Sequence, residues 1–262
     1  MLGFRRRRRQ RIRSRPFPPE WLAIVERNVA YYRLLTPAEQ AELRDHIQVF
    51  IDEKRFEGCG GLEITDEIRV TIAAQACILL LHRQTNYYPK METILVYPHR
   101  YFAETTVRLP GGAVLEGTHA RLGESWYRGP VVLSWDDVRR ASADVYDGRN
   151  VVFHEFAHQL DSESGANEGV PVLPRRSMYI AWARVLGEEY AQLIEDLKHH
   201  RATFIDAYGA TNPAEFFALV TEAFLEQPLQ LQRAHPKLYE QLMTFYQQDP
   251  AARLTRARSE TS

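Results

Sequence analysis

Cysteine is the scarcest chemistry in this chain of 262 residues: only Cys59 and Cys77 occur, too few for a disulfide framework, so a reducing, cytoplasmic setting is expected. Long apolar runs are missing too. None approaches the roughly 18 residues of a membrane span, and the best, residues 76–81, reads as part of a buried helix. A secretory leader would need an apolar stretch of about 7–15 residues after a basic start, whereas here Pro16-Phe17-Pro18-Pro19 follows. Export by that route is not expected.

Net charge is also almost absent, at −1, but the balance hides an asymmetry. Arg5 to Arg9, Arg11, Arg13 and Arg15 place eight positive charges in the first fifteen residues, leaving −9 on the rest. A solvated, disordered basic tail is the expectation for residues 1–19, with contact to nucleic acid or anionic lipid confined to that tail. With 45% hydrophobic and 26% charged side chains, the remainder has the make-up of one globular core, expected over residues 20–252.

Local signals divide that core. Thr36-Pro37-Ala38-Glu39 reads as a capping box opening a helix that runs toward Arg55, with Leu43, Ile47, Phe50 and Ile51 on one face. Cys59-Gly60-Gly61 breaks it, and Thr65-Asp66-Glu67 starts a second helix ending near His82, giving a helical layer over residues 20–90. Residues 93–97, 114–122 and 129–135 are strand candidates, implying a small mixed sheet within 91–135. From Val151 the pattern is helical, with candidates at 154–160, 178–199, 213–226 and 237–247, before a frayed polar tail over 253–262. The class is α+β.

One short segment carries recognisable chemistry, His154-Glu155-Phe156-Ala157-His158. On a helix, residues four apart share a face, so both histidines can aim a ring nitrogen at one ion, and Glu155 flanks it without ligating. A catalytic zinc keeps one position for water and lowers that water's pKa to about 7, and Glu155 is placed to take the proton as general base. Such a five-residue pattern arises by chance in roughly 1 in 50 chains of this length. Its apolar preface, residues 151–153, and its freedom from helix breakers favour the metal reading.

A third protein ligand is required. Asp161 and Ser164 stand where a glycine and a further ligand would complete one local pattern, so that pattern is excluded. Asp161 shares the histidine face and either orients a histidine or is a solvated last-turn aspartate. Downstream, Glu215 and Glu222 lie two turns apart among apolar neighbours in residues 212–222. A carboxylate in such company wants a partner or a metal. Glu215 is the expected third ligand, while Glu222 is equally readable as an exposed flank.

Three segments together resemble a known family: 154–161 (His-Glu-Phe-Ala-His-Gln-Leu-Asp), Ile205-Asp206-Ala207-Tyr208 followed by Pro213-Ala214-Glu215, and 245–250 (Phe-Tyr-Gln-Gln-Asp-Pro). The chain is similar to the Mlc titration factor A family of bacterial metallopeptidases, whose catalytic region is similar in turn to the protease domain of anthrax lethal factor. Weaker similarity at 95–98 and 129–135 extends the resemblance to roughly residues 20–255; the arginine-rich start, Met1 to Arg15, is not matched to the family pattern. The resemblance implies a zincin-like fold with the His-Glu-x-x-His segment on an active-site helix and a mainly helical C-terminal part. It implies one Zn2+ on His154, His158 and Glu215, a gluzincin-type ligand set. It also implies Tyr208 as electrophile toward the oxyanion, aminopeptidase-like hydrolysis of peptides, and a repressor of the Mlc type as partner. The alternative is a regulatory binding protein that sequesters a repressor around a structural zinc, against which stands the presence of Glu155, a general base such a site does not need.

Overall fold

The computed structural model describes residues 2–99, 105–108, 114–117 and 129–259. Its centre is a three-stranded parallel sheet in the order β1 (Arg55–Gly58), β2 (Thr93–Tyr97), β5 (Val131–Ser134), with Ile94 opposite Val131 and Val96 opposite Leu133. A separate antiparallel pair joins β3 (Thr105–Arg108) to β4 (Val114–Gly117). The molecule is α+β, but its main sheet is parallel and draws β1 from the region expected to be helical throughout. Parallel neighbours need a crossover, and α4 (Asp66–Ile78) supplies it between β1 and β2. Of the 114–122 strand candidate, only Val114–Gly117 falls among the described residues. Trp135, expected at a strand end, instead opens α5 (Trp135–Ala143), whose first turn is capped by Ser134.

Local sequence explains the helices that pack on this sheet. In α3 (Pro37–Glu53) Thr36 Oγ1 accepts from the Glu39 amide at 3.2 Å while the Glu39 carboxylate accepts from the Thr36 amide at 2.7 Å, a complete capping box. Helix α4 is buried at Ile68 and from Val70 to Ile78 and is capped by Thr65. The second half of the chain contributes α6 (Val151–Ser162), α7 (Met178–Lys198), α8 (Pro213–Glu226), α9 (Pro228–Ala234) and α10 (Pro236–Tyr246). Aromatic contacts fix α6 and α8 from behind. Phe156 packs on Tyr88 at 4.8 Å and Phe50 at 5.7 Å, and Phe217 and Phe245 both pack on Trp182, at 5.9 and 5.4 Å.

Both expected tails depart from the sequence reading. The basic start forms α1 (Leu2–Arg13), followed by α2 (Pro19–Asn28). Helix α1 is held because Ile12 is buried and Arg8 and Arg9 pair with Asp52 and Glu53 of α3, at 2.6 and 2.7 Å. At the other end α11 (Pro250–Ser259) replaces a frayed segment. Its Arg253 is buried, donating to Glu39 at 2.5 Å and to Tyr31 Oη at 3.0 Å, so a residue read as tail ties the last helix to the first turn of α3.

Candidate metal centre

Helix α6 starts at a side-chain cap. Asn150 Oδ1 accepts from the amides of Val152 and Phe153 at 3.1 and 3.0 Å, satisfying donors that the first turn would leave open. Its other end is covered by Lys90, whose Nζ donates to the Ser162 carbonyl at 2.6 Å, a cation at the negative end of the helix. Between these ends His154 and His158 project from one face toward α8, where Asn212 caps the Glu215 amide at 2.9 Å and Pro213 occupies the first helical position.

The three expected ligands meet. His154 Nε2 lies 3.2 Å from His158 Nε2 and 3.0 Å from Glu215 Oε2, and His158 Nε2 lies 3.5 Å from the same oxygen. Four ligands at zinc distances of about 2.0–2.1 Å around a tetrahedral ion sit about 3.3 Å from one another. The triangle therefore has the size of one tetrahedral face. Its chemistry fits as well, because the other nitrogen of His154, Nδ1, is engaged at 2.7 Å by Glu222 Oε1, an acceptor. With the proton on Nδ1, the Nε2 lone pair points at a carboxylate oxygen, an arrangement that calls for a cation between them.

Electrostatics points the same way. Burial pushes His154 toward its neutral form, but hydrogen bonds to Glu215 and Glu222 outweigh that and raise its pKa to about 10. Desolvation opposes ionisation of Glu215, yet His154 and His158 hold it down at about 2. A site that draws a proton this strongly stabilises positive charge at that point. Glu155 is buried beside the cluster, and desolvation raises its pKa, with His154 and His158 pulling the other way. Among the described residues, His154, His158 and Glu215 form a group whose ligand atoms are close enough to hold a metal ion.

Two carboxylates whose roles the sequence left open are resolved. Glu222 is buried and, besides His154, its Oε2 accepts from the Asn150 amide at 2.5 Å. Asp161 is also fully buried, but it accepts from the Gly169 amide at 2.8 Å and so clamps the loop after α6. Trp182 Nε1 holds the Gly169 carbonyl at 2.9 Å from the other side. Gly169 has φ +70°, and a Cβ there would meet the Pro213 carbonyl oxygen at 2.5 Å, so glycine is what lets this loop approach the start of α8.

Tyr208 sits in a one-turn 3₁₀ helix, Ala207–Ala210, packed on α8, is 53% exposed, and lines an open cleft of about 770 Å³. Val151 of α6, Leu219 and Ala223 of α8, and Val132 and Ser134 of β5 line the same cleft, which thus borders the helices that carry the histidines and Glu215. The sequence reading missed Asn150 and Glu226. Asn150 Nδ2 donates to Glu226 Oε1 at 2.9 Å and to Gln75 Oε1 at 3.0 Å, making it the hub behind Glu222. A helix-capping asparagine directly before an apolar helix start was the available signal for it; Glu226, one turn beyond Glu222, carried none that set it apart from a surface glutamate.

The family model of the glucose-regulated metallo-peptidase M90 matches residues 4–247, so it takes in the arginine-rich start that the sequence reading left unmatched. The chain belongs to this family. Among similar proteins, an uncharacterized protein of Synechocystis sp. is 43% identical over 244 residues, covering 93% of this chain and 89% of its own. Proteins named Mlc titration factor A are 33% identical in Serratia proteamaculans, over 87% of this chain and 88% of theirs, and 32% in Escherichia coli, over 85% and 84%. Membership in M90 makes this a metallopeptidase-type chain, for which the His154, His158 and Glu215 group could hold the metal. No described helix is long and apolar enough to cross a membrane.

Proposed function

We propose that the chain is a zinc-dependent, aminopeptidase-like metallopeptidase of zincin-like fold, with one Zn2+ held by His154, His158 and Glu215. The observation that carries this reading is the triangle of ligand atoms 3.0–3.5 Å apart beside the buried Glu155. When bound, the ion supplies a Lewis acid that lowers the pKa of an attacking water to about 7 and polarises the scissile carbonyl. The chain's own residues do the rest. The Glu155 carboxylate takes the water's proton and passes it to the leaving amine, a transfer that its burial-raised pKa favours. The Tyr208 phenol donates to the developing oxyanion from the cleft wall. An extended peptide lies along β5, an edge strand among the described residues, over the apolar floor of Val132, Val151, Leu219 and Ala223. A cytoplasmic setting, in keeping with two free cysteines, belongs to this reading.

The test pairs elemental metal analysis with hydrolysis of chromogenic amino-acid and peptide substrates. About one zinc per wild-type chain, chelator-sensitive hydrolysis, and loss of both in Glu215→Ala are expected. A wild type without metal, or unaltered zinc in the variant, sinks the ligand assignment.

The name of the Serratia and Escherichia relatives favours a second reading, binding of an Mlc-type repressor. The two functions separate in Glu155→Gln, which keeps the ligands but lacks the base. Repressor binding by an inactive variant establishes sequestration independent of hydrolysis; no binding by either form removes the second reading.

A further inference from the structure

The arginine run at the start of the chain takes no part in the site above, yet it is folded. Helices α1 and α3 lie antiparallel: Arg8 and Arg9 meet Asp52 and Glu53 at the end of α3, while Gln48 Nε2 donates to the Arg15 and Pro16 carbonyls at 3.2 and 3.1 Å. Ile12 and these pairs fix the inner face, while the residues of the first turn that are described are exposed. The outer face carries Phe4, Arg7 and Arg11 at helical spacing, with Arg5 and Arg6 flanking them. All four arginines are exposed and none is in an ion pair with a described residue. Phe4 is 78% exposed among them.

This arrangement works against the free helix. Arg5 with Arg9 and Arg7 with Arg11 are like charges one turn apart, and arginines in the first turns oppose the positive end of the helix dipole, with no acidic residue there to compensate. A polyanion on the outer face removes both penalties.

We propose that the outer face of α1 is a docking surface for an anionic phospholipid bilayer. The guanidinium groups of Arg5, Arg6, Arg7 and Arg11 hold lipid phosphates, and Phe4 enters the boundary between headgroups and acyl chains. A bilayer is favoured over nucleic acid because the face is a single convex helix with an exposed phenyl ring. The rest of the chain, at −9, supplies no net basic wall to form a groove around a strand. A flat surface touched by this outer face leaves the acidic body in solvent.

The experiment is co-sedimentation of the full chain with vesicles of phosphatidylglycerol and phosphatidylcholine, against phosphatidylcholine alone, at low and high salt. Binding to the anionic vesicles only, lost at high salt, is expected. The variant carrying Arg5→Gln, Arg6→Gln, Arg7→Gln and Arg11→Gln should bind at least about a hundredfold more weakly, with a melting temperature no lower than wild type, because these side chains are exposed and their mutual repulsion is relieved. Phe4→Ser should weaken binding several-fold. The proposal is overturned by equal binding to both vesicle types, by no binding to either, or by full binding in the fourfold variant. Unchanged binding of Phe4→Ser, or capture of duplex DNA without capture of vesicles, overturns the bilayer as the partner.

Discussion

Glu222 Oε1 accepts a hydrogen bond from His154 Nδ1 at 2.7 Å, across 68 residues of sequence. The contact fixes both the tautomer and the ring orientation of a proposed metal ligand, and it places a negative charge directly behind it. Asn150 then positions Glu222 through its backbone amide and braces Glu226 with its side chain.

Removing that carboxylate should loosen the metal without removing a ligand. Glu222→Ala is expected to lower zinc affinity about 10–100-fold, measured by competition with a chromogenic chelator. Wild-type affinity in the variant would show that His154 needs no support.

Tyr208→Phe removes only a hydroxyl at the cleft wall. We expect kcat to fall on the order of 10²-fold with KM and zinc content little changed, the pattern of a donor used in the transition state. A phenylalanine variant as active as wild type would leave Tyr208 as a cleft-lining aromatic.

Gly169→Ala tests the approach of the loop to α8. With φ at +70° and a Cβ placed 2.5 Å from the Pro213 carbonyl, the variant must shift backbone, at a cost of about 1–3 kcal/mol. The loss should appear in thermal or denaturant unfolding, together with weaker metal binding, since Pro213 opens the helix that carries Glu215.

Glu226 gives the pH dependence. Desolvation is the main cause that raises its pKa to about 9, against an ordinary 4.5, and the neighbouring carboxylates of Asp147 and Glu222 push the same way. The folded state therefore binds this proton more tightly than the unfolded chain. Its contribution to stability is complete below about 4.5, falls as pH rises, and is gone above about 9. Glu226→Gln keeps an acceptor for Asn150 and never ionises, so it should unfold later than wild type at pH 8 by about 1–3 kcal/mol, with the gap closing toward pH 5. A gap independent of pH would contradict the assignment.

Much of the molecule was legible because the governing interactions are local. The capping box of Thr36 and Glu39, the helix starts at Thr65 and Asn212, and the spacing of His154 and His158 each span a few residues, where backbone geometry alone sets what can meet. Glu215 could be singled out as a carboxylate among apolar neighbours. The strand Arg55–Gly58 was not legible, since four residues, mostly exposed, carry no period of their own and become a strand by pairing with β2.

What the sequence determined by itself is the helix face shared by His154 and His158, the place of Glu155 beside it, and most helices of the second half. Tertiary structure decided which carboxylates serve which partner. Glu222 orients His154, Asp161 clamps Gly169, and Arg253 anchors a segment that reads as a tail. Burial and pairing of charged groups depend on packing between elements distant in the chain. The same Glu or Arg is a solvated flank or a buried anchor according to what the fold brings against it.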